Sequence, residues 1–198
     1  HEHFSYISFV FAERVFAAHG LILFDVDEIP THGGSLRVYA RHAAHAALPV
    51  SGKVAELRAR EQAAGLERAE TYRAFAEQVR ATKRSLLKFL IGAKEQGKRV
   101  AGYGAPAKGN TLLNYCGVRS DLLEYTVDRS PHKQGRFLPG VHIPIHAPER
   151  IIQTRPDYVL ILPWNLEAEI RRQMAGIAAW GGRFVVPIPE LRVIAAGG

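Results

Sequence analysis

One cysteine, Cys116, stands in a chain of 198 residues, so no internal disulfide can form. A reducing compartment, the cytoplasm, fits that scarcity. Long apolar runs are missing too: none approaches the roughly 18 residues of a membrane-spanning helix, which excludes a helical membrane protein. No methionine opens the chain, and the first residues, HEHFSYISFV, lack a signal-peptide layout. The stretch therefore reads as a segment of a longer protein. There is no contiguous basic block despite a net charge of +7, because the excess is mostly arginine dispersed through helical segments. This argues against nucleic acid and for a phosphorylated small molecule as partner. Internal repeats and low-complexity segments are absent as well. What the chain does have is apolar content, 47% of its residues, enough to bury a core.

Phe4, Ile7, Val10, Phe11, Val15 and Ala18 recur at helical spacing, with Gly20 as the stop, which predicts a helix from Phe4 to Ala18. Two extended runs follow, LILFDVDEI and SLRVYARH, joined by PTHGG; they predict an antiparallel hairpin. Pro49, Ser51 and Gly52 mark a boundary. Beyond it, Lys53 to Gln96 contains no proline and is interrupted by Gly65. Tyr72, Phe75, Val79, Thr82, Leu86 and Phe89 form one apolar stripe there, predicting a long helix with a core-facing side. After Gly97, short buried strands (VAGY, YTVD, YVLIL, FVVPI) alternate with helical stretches. That rhythm predicts an α/β fold with a Rossmann-like parallel sheet flanked by helices.

The segment GYGAPA, Gly102 to Ala107, matches G-x-G-x-x-A between a predicted strand and a predicted helix, where a backbone cradle for an anion belongs. Asp128 ends the next strand, where a dinucleotide enzyme places its ribose-binding acid. Those two features point to NAD. Pro106, which lacks a donor, and Lys108, a cation at the phosphate position, point instead to a compact anion. The long connection from Asp128 to Glu149 adds His132, Lys133, Gln134, Arg136 and His142, a basic set suited to a diphosphate. At the start of the chain, His3 offers an acid–base group with Glu2 beside it. His1 and His3 are spaced so that a helix start points them apart, and no metal site is expected.

HEHFSYISF, GLILFDVDEIPTHGGSLRVYARH and VAGYGAPAKGNTLLNYCGV, taken together with YTVDRSPHKQGRFLPGVHIPI, resemble the C-terminal part of the three-part sugar C-methyltransferases, S-adenosylmethionine-dependent enzymes acting on nucleotide-linked keto-deoxysugars. The resemblance implies three regions. Residues 1–48 would be the end of a methyltransferase domain, 49–97 a connecting helix, and 98–198 a Rossmann-like substrate-binding domain. It also implies that His3 is the base removing a proton next to the sugar ketone, that Glu2 positions it, and that Tyr6 lines the same pocket. The enolate carbon would then attack the sulfonium methyl group. Tyr103, Lys108, Asn110, Asp128 and Lys133 become the substrate-binding set, and the glycine loop becomes a nucleotide-sugar phosphate cradle. S-adenosylmethionine would belong to the parent protein and zinc to a preceding region, with neither expected on this segment, which alone is expected to be inactive. Self-association through the long helix or the hairpin edge is the remaining interaction expected. An NAD-binding oxidoreductase and a non-catalytic module are the competing readings.

Overall fold

A computed structural model describes residues 5–45 and 47–196. The chain divides into two units, His1–Glu77 and Gln78–Gly198.

In the first unit, α1 (Phe9–Ala18) leads into the antiparallel hairpin β1 (Leu21–Ile29) and β2 (Ser35–His42). The helix starts later than its apolar spacing predicts because Ser8 caps it, accepting from the Phe11 N–H. Ser8 thus competes for the backbone donors that an earlier turn would need. Phe24 is bulged out of the hairpin, between the Leu23 and Asp25 pairings, and its carbonyl accepts from the Ser51 N–H at 2.8 Å. The bulge frees one ladder group, and that group anchors the return of the chain. There α2 (Gly52–Ala63) begins, capped by Ser51. Its Val54 and Leu57 pack with Phe9, Leu23 and Val26 in a small core. Glu61 of α2 caps α1 from outside, its two oxygens accepting from the N–H groups of Phe9 and Val10 at 2.8 and 2.9 Å.

Gly65, at φ +74°, breaks the helical stretch, and α3 (Ala69–Glu95) follows over 27 residues. The apolar stripe on α3 changes character along its length. Leu86, Leu90 and Ala93 are buried, whereas Tyr72 and Phe75 are 54% and 60% exposed.

The second unit is a six-stranded sheet in the order β5-β4-β3-β6-β7-β8. Its strands are β3 (Val100–Tyr103), β4 (Thr126–Val127), β5 (Ile145–His146), β6 (Tyr158–Ile161), β7 (Arg183–Val186) and β8 (Arg192–Ala195). Five run parallel, and β8 pairs antiparallel to β7. Counted within the unit this is the 3-2-1-4-5-6 order of dinucleotide-binding folds, so the predicted Rossmann-like α/β architecture is present. Alternate residues of each strand face opposite layers. Val100, Leu160 and Val185 meet α3 and α4 (Ala107–Cys116), while Ala101, Val159, Ile161 and Phe184 meet α5 (Glu149–Thr154) and α6 (Glu167–Gln173). The sequence reading does not contain β5 or β8. The first is two residues long, too short for any alternation to register, and the second is an edge strand recognisable only by its partner.

Candidate functional site

The order of the sheet reverses between β3 and β6, and open α/β folds bind their ligands at such a crevice beyond the strand carboxyl ends. GYGAPAK lies there. Gly104 has φ +88°, and a Cβ on it would lie 2.6 Å from Pro163 Cδ, so the loop leaves β3 along a path open to glycine alone. Gly109 is equally confined, by Leu162 Cβ at 2.8 Å. Both glycines therefore serve close packing of the loop and α4 against the end of β6. Pro106 then stands in extended conformation just before α4, and the first-turn N–H groups that follow have no intrahelical acceptors. They present a positive helix end to the crevice.

Lys108 sits on that first turn. Its ammonium lies 5.0 Å from the centre of the Trp164 ring and donates to Asn165 Oδ1, both supplied by the turn after β6. Burial lowers its pKa below the ordinary lysine value, and no charged group contributes to the shift. Partly buried and held by an aromatic face and an amide, this cation stands at the helix start, where an anion would meet it.

Asp128, at the end of β4, is committed to the loop itself. Its Oδ2 accepts from the Ala105 N–H at 2.7 Å and from Lys133 Nζ at 3.2 Å, while Oδ1 accepts from the Ser130 N–H at 2.9 Å. Lys133 also donates to the Ala105 carbonyl at 3.0 Å, so the pair grips both sides of one peptide residue. Burial pushes the Asp128 carboxyl upward, but the Ser130 and Ala105 donors and Lys133 outweigh it and hold the acid below the ordinary aspartate value.

Tyr103 is buried and donates to Gln173 Oε1 at 3.0 Å. Burial, with Asp128 and Glu169 nearby, raises its pKa, so the phenol stays a donor. Asn110 lies one turn into α4, its Oδ1 accepting from Asn114 Nδ2 at 3.2 Å. The structure thus gathers Tyr103, Lys108, Asp128 and Lys133 around one loop and sets Asn110 deeper in the helix. Gln134 joins them by donating to the Asp128 carbonyl at 2.9 Å, whereas His132, Arg136 and His142 are exposed. Glu2 and His3 lie outside the described residues. Tyr6 is 92% exposed and borders a cleft of the first unit with Phe11, Leu66 and Tyr72. Among the described residues no three His, Cys, Asp or Glu side chains cluster as a metal site, and no helix is long and apolar enough to cross a membrane.

Trp164, Asn165 and Gln173 escape the sequence reading. The first two follow the buried run YVLIL after a single proline, Pro163, and their place at the carboxyl end of a strand is the one signal that marks them. Gln173 lies in an ordinary amphipathic helix and carries none.

Strand order and loop define a Rossmann-like α/β unit with a crevice where the strand order reverses. The chain belongs to the C-methyltransferase C-terminal domain family, whose model matches residues 30–189. It is 45% identical to the C-methyltransferase NovU of Streptomyces niveus over 199 residues, covering 99% of this chain and 46% of NovU; it thus spans about half the length of that relative. The C-methyltransferase resemblance carried by the sequence motifs is borne out. Among solved structures, the UDP-D-quinovosamine 4-dehydrogenase from Vibrio fischeri matches 49% of this chain and 93% of its own, with 18% identity and a TM-score of 0.37. So distant a likeness leaves the strand order itself as the warrant for the fold.

Proposed function

We propose that this chain supplies the nucleotide-binding side of an S-adenosylmethionine-dependent C-methyltransferase acting on a nucleotide-linked keto sugar. Family membership and the identity to NovU support the methyl-transfer class. The observation that carries the substrate reading is Lys108, a partly buried cation on the first turn of α4, held by Trp164 and Asn165 beside the glycine loop. A diphosphate would accept from Lys108 and from the first N–H groups of α4. Asp128 and Lys133 shape the loop, and in this reading they act on the ligand through its backbone.

By resemblance, His3 removes the proton next to the sugar ketone and Glu2 positions its imidazole. The developing enolate oxygen needs donors of its own. S-adenosylmethionine, when bound, supplies the electrophilic methyl group. The described residues of the first unit do not fit it: their two strands form an antiparallel hairpin with no crossover helix between them, whereas a glycine-rich turn from strand to helix is the usual cradle. The competing NAD reading is disfavoured by Asp128, whose carboxylate already holds Ala105 and Lys133 where a ribose hydroxyl would need it.

Calorimetric titration with pyrophosphate and with thymidine diphosphate tests the cradle. The expected result is binding of both, weakened at least about tenfold in Lys108→Ala, the loss typical of a charge-assisted hydrogen bond. Unchanged affinity in that variant would overturn the reading.

A further inference from the structure

Thr126, in β4, is the one Ser, Thr, Asn, Gln or charged side chain that is buried among the described residues. A hydroxyl taken out of water is costly unless it finds a partner, and this one has a specific partner. Its Oγ1 donates to the Gly104 carbonyl at 2.8 Å. The other end of that same peptide group is held from the same strand, since the Ala105 N–H donates to Asp128 Oδ2 at 2.7 Å. Thr126 and Asp128 thus fix the Gly104–Ala105 peptide plane at its oxygen and at its nitrogen.

The flanking groups are committed as well. The Gly104 N–H donates to the Val127 carbonyl at 2.6 Å, and Lys133 Nζ donates to the Ala105 carbonyl at 3.0 Å. Pro106 has no N–H to offer. Residues 104–106 therefore keep no backbone donor for an anion, and the free donors begin with Ala107, because the first internal bond of α4 runs from the Asn110 N–H to the Pro106 carbonyl at 3.0 Å. The loop holds and aims the helix start, and the helix start carries the donors. Thr126 also accounts for the first glycine of the motif. Gly102 is its register partner on the neighbouring parallel strand, and a Cβ there would lie 2.7 Å from Thr126 Oγ1 and 2.9 Å from its Cβ. A larger residue at 102 must push the hydroxyl aside, so Gly102 and Thr126 are a matched pair.

We propose that Thr126 is a positioning residue: by anchoring the Gly104 carbonyl it sets the direction in which the loop delivers Lys108 and the first N–H groups of α4 to an anion. The proposal rests on the reading of that helix start as the diphosphate site.

The test is calorimetric titration of the 198-residue chain with pyrophosphate, run well below the melting temperature of every variant, so that a loss of stability alone leaves the affinity unmoved. Thr126→Val keeps the shape and removes the hydroxyl, and it is expected to weaken binding at least about threefold, the order of one hydrogen bond's net worth. Thr126→Ser keeps the hydroxyl and is expected to bind as the wild type does. Gly102→Ala displaces the hydroxyl from the facing strand and is expected to reproduce the loss seen with valine. Hydrogen exchange supplies a readout that needs no ligand: the Ala105 amide is expected to exchange faster in Thr126→Val, while the amides of β6 keep their rates. Wild-type affinity in Thr126→Val or Gly102→Ala would overturn the positioning role, and an equal loss in Thr126→Ser would assign the effect to packing instead of the hydroxyl and overturn it too. Unchanged exchange at Ala105, with pyrophosphate bound by the wild type, would overturn this proposal alone. Failure of the wild type to bind pyrophosphate would bring down the diphosphate reading, and this proposal with it.

Discussion

Asp128 and Gly104 together determine how the loop is held. The aspartate is depressed in the folded state, so its contribution to stability is full above the unfolded carboxyl pKa of about 3.9 and disappears as pH falls through the lower folded value. Asp128→Ala leaves the Ala105 N–H and the Lys133 ammonium without their acceptor. The expected cost is about 1–3 kcal/mol near neutral pH, shrinking toward pH 3, measured by urea unfolding across that range. Gly104→Ala meets two penalties, a positive φ and a clash with Pro163 at 2.6 Å. Strain of this kind costs on the order of 1–3 kcal/mol, and a loss of pyrophosphate affinity is expected with it because the loop itself must shift. A Gly104→Ala variant with wild-type melting and binding would show that the loop tolerates another path.

Helices α1 and α3 illustrate how context, rather than propensity, defines an element. The first helix borrows its N-terminal partners from Glu61 on α2. Glu61→Ala should therefore destabilise the first unit by about 1–3 kcal/mol, the cost of leaving half-buried donors unpaired. Hydrogen exchange at Phe9 and Val10 is the readout, and it should accelerate more than exchange in β3. Along α3 the same stripe has two fates. Leu90→Ala, fully buried beside the sheet, is expected to cost about 2–5 kcal/mol, whereas Phe75→Ala, at 60% exposure, should stay within about 0.5 kcal/mol. Equal effects in thermal unfolding would mean that both ends of the stripe are core.

At the scale of the whole molecule, the two units carry different parts of the proposed activity. The second contains a complete α/β sheet with its own crevice, while the first contains a helix, a two-stranded hairpin and α2 around a small core. The chain covers 46% of NovU. The expected outcome is that the 198-residue protein binds nucleoside diphosphates without S-adenosylmethionine and shows no micromolar affinity for that cofactor in a calorimetric titration. A micromolar constant would place a cofactor site within these residues.

Composition and period by themselves determined the fold class. Buried runs such as YVLIL alternating with amphipathic stretches have few ways to cover both faces of a sheet, and the glycine spacing located the loop because only glycine follows that backbone. The motifs also led to the C-methyltransferase family. Tertiary structure alone decided which side chains share the crevice. Lys108 meets Trp164 and Asn165 only because β6 lies beside β3, and sequence order does not state that adjacency. The role of Asp128 was decided in the same way: its place at a strand end is readable, but whether its carboxylate faces a ligand or the Ala105 N–H depends on how closely the β3 and β4 ends approach. Tyr103 and Gln173 are 70 residues apart, and their hydrogen bond exists because the crossover from β6 to the parallel β7 carries α6 back over the sheet. Local pattern fixes what each segment becomes, and the packing of segments distant in sequence fixes which chemical groups meet.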